Sequence, residues 1–434
     1  MNLTLVWQRP PESWDGRRLL AQEPGTGWRE ATSRRGSMPP MATIDVPAVR
    51  SRFPGLARMD ERGYPLVHAD APGGTQIVED AIDAMRAYLE TSFANAGQDF
   101  VTSSETDRMV AASRREVAAL VGGQPSGVVF GANMTTLVWH LARALERRLG
   151  PGDEVVCTRL DHDANVTPWR RLAERVGATV RWVGIDEQGR LDPADLEAAV
   201  TSRTRLVAFP LASNVLGTVV DPAPFVDAAR SVGALTVADA VHAAPHVALA
   251  QDRDGIDVLA CSLYKIYGPH LGALVARPSL LAELTPDRLE AQLDHGPGRW
   301  QSGTQSFEAI AGAGAALGYV RGLGLETIAR HEAALSQRFL AGLTGLGHVT
   351  LHGPPEAAGR TPTFSLTVEG RSPAAVSAAL AEQGILTFHG HCYALEPLRA
   401  LGLLDSGGIT RVGFAHYHDE TDVDRVLEAL AALR

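Results

Sequence analysis

Cys261-Ser262-Leu263-Tyr264-Lys265-Ile266-Tyr267-Gly268-Pro269-His270 holds the only lysine in a chain of 434 residues. Lysine and arginine together number 40, so every other basic side chain of that kind is an arginine. Arginine can replace lysine wherever a positive charge is all that is needed. It cannot replace lysine in covalent amine chemistry. A guanidinium stays protonated, whereas a buried lysine amine can lose its proton and form a Schiff base. A lone lysine placed after the apolar run Val258–Ser262 and before Tyr-Gly-Pro therefore points to an aldehyde cofactor.

Outward from this stretch, short apolar runs alternate with helical patterns. Strands are expected at Val128–Gly131, Glu154–Thr158, Thr179–Val183, Leu206–Leu211, Leu235–Asp239, Val258–Ser262 and Leu271–Ala276. Most are rich in Val, Leu and Ala with little polar alternation, which predicts burial on both faces. Helical patterns fall between the first six, for example Asp192–Val200 and Pro222–Val232. The fold class is α/β, with a mostly parallel seven-stranded sheet covered on both sides. Only Leu263–His270 separates the last two strands, too short for a parallel crossover, so the last strand should be antiparallel. Residues 294–308 read as an exposed functional loop. Beyond them, a Gly/Ala-rich stretch and a helix through Gly342 lead into mixed strands and helices, a smaller C-terminal α+β domain.

The domain reading is a disordered extension over 1–40, a segment over 41–65 packing with the small domain, a large domain over 66–308 and a small domain over 309–434. The first 40 residues are Pro-, Gly- and Arg-rich without periodicity. Met41 resembles a natural start as much as Met1 does. Hydrophobic residues make up 45% and charged residues 21%, as in globular proteins, and a net charge of −10 argues against nucleic acid as the main partner. Three cysteines form neither a disulfide framework nor a zinc pattern. No apolar run suggests a membrane span and the N-terminus lacks a secretory signal pattern, so a cytoplasmic location is expected.

In open α/β sheets ligands lie beyond the carboxyl ends of the strands, and five of these ends carry useful chemistry. Val128–Gly131 runs through Ala-Asn-Met-Thr-Thr into an expected apolar helix, Leu137–Leu149, whose free N–H groups, with the hydroxyls of Thr135 and Thr136 beside them, suit a phosphate. His162 follows the second strand and could lie flat on an aromatic ring. Asn214 follows the fourth and could donate to a phenolic oxygen. Asp239 ends the fifth strand, where a pyridinium nitrogen would supply the partner a buried carboxylate needs. Ser262 ends the sixth, just before Lys265. Individually these residues also read as helix caps, turns, surface groups or core. Together they are the set that pyridoxal 5′-phosphate requires.

The chain resembles the class V aminotransferase family of fold-type I pyridoxal-phosphate enzymes, in the cysteine desulfurase/selenocysteine lyase branch and nearest its cysteine desulfurase-like subgroup. Segments carrying the resemblance are Asp70–Gln76, Phe130–Thr136, Asp161–Asn165, Ser213–Thr218, Asp239–His242, Ser262–Lys265 and Ser302–Thr304. It implies that Lys265 bonds the cofactor and moves protons, that His162 stacks on the ring, and that Asp239 pairs with its nitrogen. Asn214 and His242 would neighbour the phenolic oxygen, His242 standing where desulfurases usually have glutamine. Met134, Thr135, Ser262 and Tyr264 would hold the phosphate, Tyr264 replacing a common histidine. Gly303 and Thr304 resemble a segment that reaches a partner subunit's phosphate, which implies a homodimer. Arg411 matches the arginine that clamps the substrate carboxylate.

The reaction expected is carbon–sulfur cleavage on L-cysteine or a cysteine-derived amino acid. Cys392, one residue from the family's nucleophile by alignment, is the candidate persulfide carrier, with a sulfur acceptor as a further partner; its alternative is a small residue lining the pocket. Cys157 and Cys261 read as core. An aminotransferase or a cysteine S-conjugate β-lyase without persulfide formation is the alternative reaction. A metalloprotein built on His389-x-His391 and His416-x-His418, and a non-catalytic regulator of the same fold, are weaker readings.

Overall fold

The computed structural model describes residues 44–433. The expected extension over 1–40 and the two candidate starts lie outside these residues. The large sheet contains β1 (Val128–Gly131), β2 (Glu154–Thr158), β3 (Thr179–Val183), β4 (Thr204–Pro210), β5 (Leu235–Asp239), β6 (Val258–Ser262) and β7 (Gly272–Ala276). Their order is β1-β7-β6-β5-β4-β2-β3. β7 runs antiparallel to both its neighbours, and the remaining pairs are parallel. The expected antiparallel last strand is thus present, and the expected α/β class with it.

Strand side chains alternate between two cores, which explains the unbroken apolar runs. Phe130, Val156, Val207 and Phe209 pack into one. Val129, Val155, Cys157, Leu206 and Ala208 pack into the other. Helices Met134–Leu145, Thr167–Val176, Pro193–Ala199 and Ala223–Val232 connect the first five strands. The expected helix between β5 and β6 shrinks to Gln251–Asp254. Pro245, in the middle of that link, has no N–H to give a helix, and the chain turns there instead.

The second sheet has order β10-β11-β9-β8, with β8 (Val349–His352), β9 (Thr363–Val368), β10 (Phe388–Gly390) and β11 (Ile409–Gly413), all antiparallel. β8 was not expected from the sequence. It is an edge strand, half-buried except for exposed Thr350, so it carries no strong apolar signal. Helices Leu325–Leu343, Pro373–Ala381 and Glu420–Ala431 contribute to its own apolar core, around Phe339, Phe364 and Phe414. The Gly/Ala-rich stretch is the helix Phe307–Leu323, which packs on helices Glu79–Thr91 and Val101–Val121 through small residues.

The N-terminal segment and the residues after it reach the C-terminal part of the chain. Val67 bridges to Ile385 and Asp70 to Gly413. Arg50 pairs with Asp422 at 2.5 Å. No described helix is long and apolar enough to cross a membrane.

Candidate active site

The carboxyl ends of the central strands open onto one cavity. Nine of the expected site residues line it together: Met134, Thr135, His162, Asn214, Asp239, His242, Ser262, Tyr264 and Lys265. Residues from five separate strand-to-helix connections therefore meet at one point, as an open α/β sheet arranges them.

Lys265 follows β6 in a single 3₁₀ turn, Leu263–Lys265, and is 6% exposed. Burial, and then the charge of Arg411, bring its amine down to about 8. It makes no hydrogen bond or ion pair to the described residues, so the nitrogen is available for bond formation. Asp239 is the last residue of β5 and is 6% exposed. Burial pushes its carboxyl up to about 6, against a backbone hydrogen bond from Val241 N and the charge of Lys265. No described cation pairs with it. A buried acid without a counter-ion, beside a buried amine without a partner, calls for a ligand that satisfies both.

His162 accepts a hydrogen bond from Ala164 N at its Nδ1 (3.0 Å), which caps the short turn Asp163–Asn165 and leaves the proton on Nε2. Burial, Lys265 and Arg411 lower it to about 3, so the ring is neutral. Tyr393 stacks on it at 5.6 Å between ring centres. Behind His162, buried Asp161 receives Thr158 Oγ1 (2.6 Å) and Asn165 Nδ2 (2.8 Å), and Trp169 Nε1 donates to Asn165.

The start of helix Met134–Leu145 forms another wall of the cavity. Met134 N donates to Ser262 Oγ (3.2 Å), and Thr136 N to Asn133 Oδ1 (2.9 Å). Thr135 keeps its N–H and hydroxyl at the cavity edge, where a helix start favours an anion. Gly272 permits this geometry. A Cβ there would lie 2.3 Å from Asn133 C and 2.6 Å from Met134 N. Gly272 was not picked out from the sequence, because the close approach exists only once β7 lies against the helix start.

His242 Nε2 lies 2.9 Å from both Thr361 Oγ1 and Thr363 Oγ1. Thr361 Oγ1 in turn donates to Gly217 O (3.3 Å). Burial and the neighbouring His246, Lys265 and Arg411 hold His242 far below the usual range, so it is neutral. Asn214 Nδ2 donates to Cys392 O (2.9 Å), while its Oδ1 is buried without a partner. Thus one amide N–H of Asn214 is already engaged and one remains.

Arg411 lies in β11, 3% exposed. It donates to Asn214 O (3.2 Å) and pairs with Asp70 Oδ1 (2.8 Å), while its Nε is buried without a partner. Asp70 was noted only as part of a motif. Its role is set by a partner 341 residues away.

Cys392 is 4% exposed and packs with Leu160, Val215, Leu398 and Ile409. It and Tyr393 have φ of 49° and 55°, an uncommon conformation that holds the turn in a strained form. Burial pushes the thiol pKa up, and Asp70 adds to the rise, which Arg411 and Lys265 offset only in part. Cys157 and Cys261 are fully buried in strands, as expected. Gly303 and Thr304 are exposed and do not line the cavity. The paired histidines are placed elsewhere: His416 Nε2 meets Tyr319 Oη (2.7 Å), His418 Nδ1 accepts from Ala415 N (2.9 Å), and His389 and His391 are exposed. Among the described residues, no group of three or more such side chains is arranged for a metal ion.

The model for aminotransferase class V matches residues 67–426, most of the chain. The chain belongs to the class V aminotransferase family. A probable cysteine desulfurase of Streptomyces coelicolor is 30% identical over 410 residues, covering 90% of this chain and 97% of the other. Among solved structures, the apo cysteine desulfurase of Thermococcus onnurineus is similar with a TM-score of 0.84 at 27% identity, over 91% of this chain and 99% of that one. A C-DES variant with glycine covalently linked to its pyridoxal-phosphate cofactor shares the fold, with a TM-score of 0.76 at 20% identity over 88% and 98% of the two chains. The expected fold-type I architecture of the class V family is therefore borne out.

Proposed function

We propose that this protein is a pyridoxal 5′-phosphate enzyme of the cysteine desulfurase-like type, cleaving the carbon–sulfur bond of L-cysteine or a cysteine-derived amino acid. The observation that carries the reading is the unpaired Lys265 amine beside the unpaired Asp239 carboxyl, in the cavity that Thr135 and Ser262 also line. These residues fit the cofactor. Asp239 would hold a cationic ring nitrogen, His162 would offer its neutral face, and Thr135, Ser262, Tyr264 and Met134 N would hold the phosphate. Bound there, pyridoxal phosphate supplies an aldehyde for amines and an electron-withdrawing ring that weakens bonds at the substrate Cα.

Lys265, with its amine near 8, would exchange protons close to neutral pH and serve as acid and base beside a bound substrate. Arg411 would bind the substrate carboxylate. Cys392 would attack the substrate sulfur, with Arg411 and Lys265 working against the burial that raises its thiol pKa overall. Its seat among Leu160, Val215 and Ile409 favours a second reading, C–S lysis without persulfide. The protein would act as a cytoplasmic homodimer, with exposed Gly303 and Thr304 reaching the partner's phosphate and a sulfur acceptor completing the cycle.

The deciding experiment incubates the holoenzyme with L-cysteine and with cysteine S-conjugates and identifies products. Alanine with protein-bound persulfide, abolished by Cys392→Ala, is the expected result. Pyruvate and ammonia unaffected by that substitution would establish the lyase instead, and amino transfer to a keto acid an aminotransferase. A protein that binds no pyridoxal phosphate would overturn the proposal as a whole.

A further inference from the structure

We propose that Asp70 is a built-in counter-ion which competes with the substrate's carboxylate for Arg411 and so sets how tightly the site takes that group. The inference rests on Arg411 being the carboxylate-binding residue, as proposed above.

Arg411 carries one positive charge and its side chain is 4% exposed. A guanidinium stripped of water needs a nearby anion or a full set of acceptors. Here Nη2 is paired with Asp70 Oδ1 at 2.8 Å and Nη1 donates to Asn214 O at 3.2 Å. Nε, equally buried, has no acceptor. The charge is therefore neutralised, while the Nε–H of the fork finds no acceptor. A carboxylate reaching that edge would meet a guanidinium already paired. Two carboxylates on one buried cation leave a net negative charge, and like charges in close quarters are costly.

Asp70 is able to yield. Its side chain is 29% exposed, so water is within reach, whereas Arg411 is enclosed. Its carboxylate also lies directly over Gly73. A Cβ on Gly73 would lie 2.2 Å from Asp70 Oδ2 and 2.8 Å from its Cγ and Oδ1. The absence of a side chain at residue 73 is what lets Asp70 rest against Arg411. Gly73 and Gly74 N–H groups bond the Asp70 carbonyl (2.9 and 3.3 Å), and Asp70 bridges to Gly413 beside Arg411. The backbone is thus held in place while the carboxylate is left to move. The arrangement keeps Arg411 paired when no substrate is present and makes substrate binding an exchange of one carboxylate for another.

The test uses the holoenzyme and 3-(methylthio)propionate, a carboxylate with neither amine nor thiol, so that binding is read without turnover. Its Kd is measured by calorimetry for the wild type and for Asp70→Asn, Gly73→Ala and Arg411→Lys. Asp70→Asn removes the competing charge and keeps the shape. Gly73→Ala keeps the charge and displaces it, at a glycine that is not among the positive-φ positions. Both should tighten binding, Asp70→Asn by about tenfold or more, and should lower KM for L-cysteine by a similar factor with little change in kcat. Arg411→Lys should weaken binding. If Arg411→Lys weakens the probe while Asp70→Asn and Gly73→Ala leave it unchanged or weaker, Asp70 only positions Arg411 and the competition is refuted. If Arg411→Lys has no effect, it is the assignment of Arg411 itself that fails.

Discussion

Replacing Asp239 with Asn should stabilise the cofactor-free protein and weaken the cofactor-loaded one. Asp239 is buried at the end of β5, and burial raises its carboxyl from the ordinary 3.8 to about 6. That difference of about two pH units corresponds to about 3 kcal/mol. Between pH 3.8 and about 6 the folded protein retains a proton that the unfolded chain has released. Stability therefore falls as pH rises through this window, and the loss persists above it. Asn cannot ionise, yet its Oδ1 can still accept from Val241 N as Asp239 does at 2.8 Å. At pH 4 the two cofactor-free proteins should be close in stability. At pH 7 to 8 the Asn variant should lead by up to about 3 kcal/mol. A cationic ring nitrogen would provide the missing counter-charge, so adding cofactor should stabilise the wild type more than the variant. Chemical denaturation from pH 4 to 8, with and without pyridoxal phosphate, measures both effects. A stability difference that does not grow between pH 4 and 7, or a variant that gains as much from cofactor as the wild type, would refute the reasoning.

Two further substitutions probe the frame around the site. Gly272→Ala would drive a Cβ into the backbone of Asn133 and Met134, displacing the helix start proposed to hold phosphate. Cofactor Kd in a fluorescence titration should rise by more than a factor of ten, about 1.4 kcal/mol, and an unchanged Kd would mean the helix start is not the anion site. Arg360 is 8% exposed and donates to the carbonyls of Pro354, Thr363, Leu216 and Thr361 while lying 4.3 Å over the Phe364 ring. Arg360→Met strands these buried acceptors and should cost about 3–5 kcal/mol in chemical denaturation.

The sequence by itself determined the sheet and singled out Lys265 and the residues at the strand ends. A strand buried on both faces must be apolar along its whole length, so its signal is local and survives without knowledge of its neighbours. Lys265 stood out for a similar reason, since in a chain otherwise furnished with arginine only amine chemistry requires lysine. Asp239 and Ser262 could be placed because a strand's last residue faces the ligand side whichever helix follows. Tertiary structure decided which of these groups are paired and which are free. Arg411 meets Asp70 across 341 residues, His242 meets Thr361 and Thr363 across 119 and 121, and Asn214 meets Cys392 across 178. No periodicity encodes such contacts, because each depends on how loops bring the small domain's sheet against the ends of the large one. The left-handed turn at Cys392 and Tyr393, and the depth to which it buries the thiol, belong to the same class. Hydrophobic patterning directs the chain to its fold, whereas the ionisation of Lys265, Asp239 and Cys392 comes from burial and from charges that only the folded chain brings together.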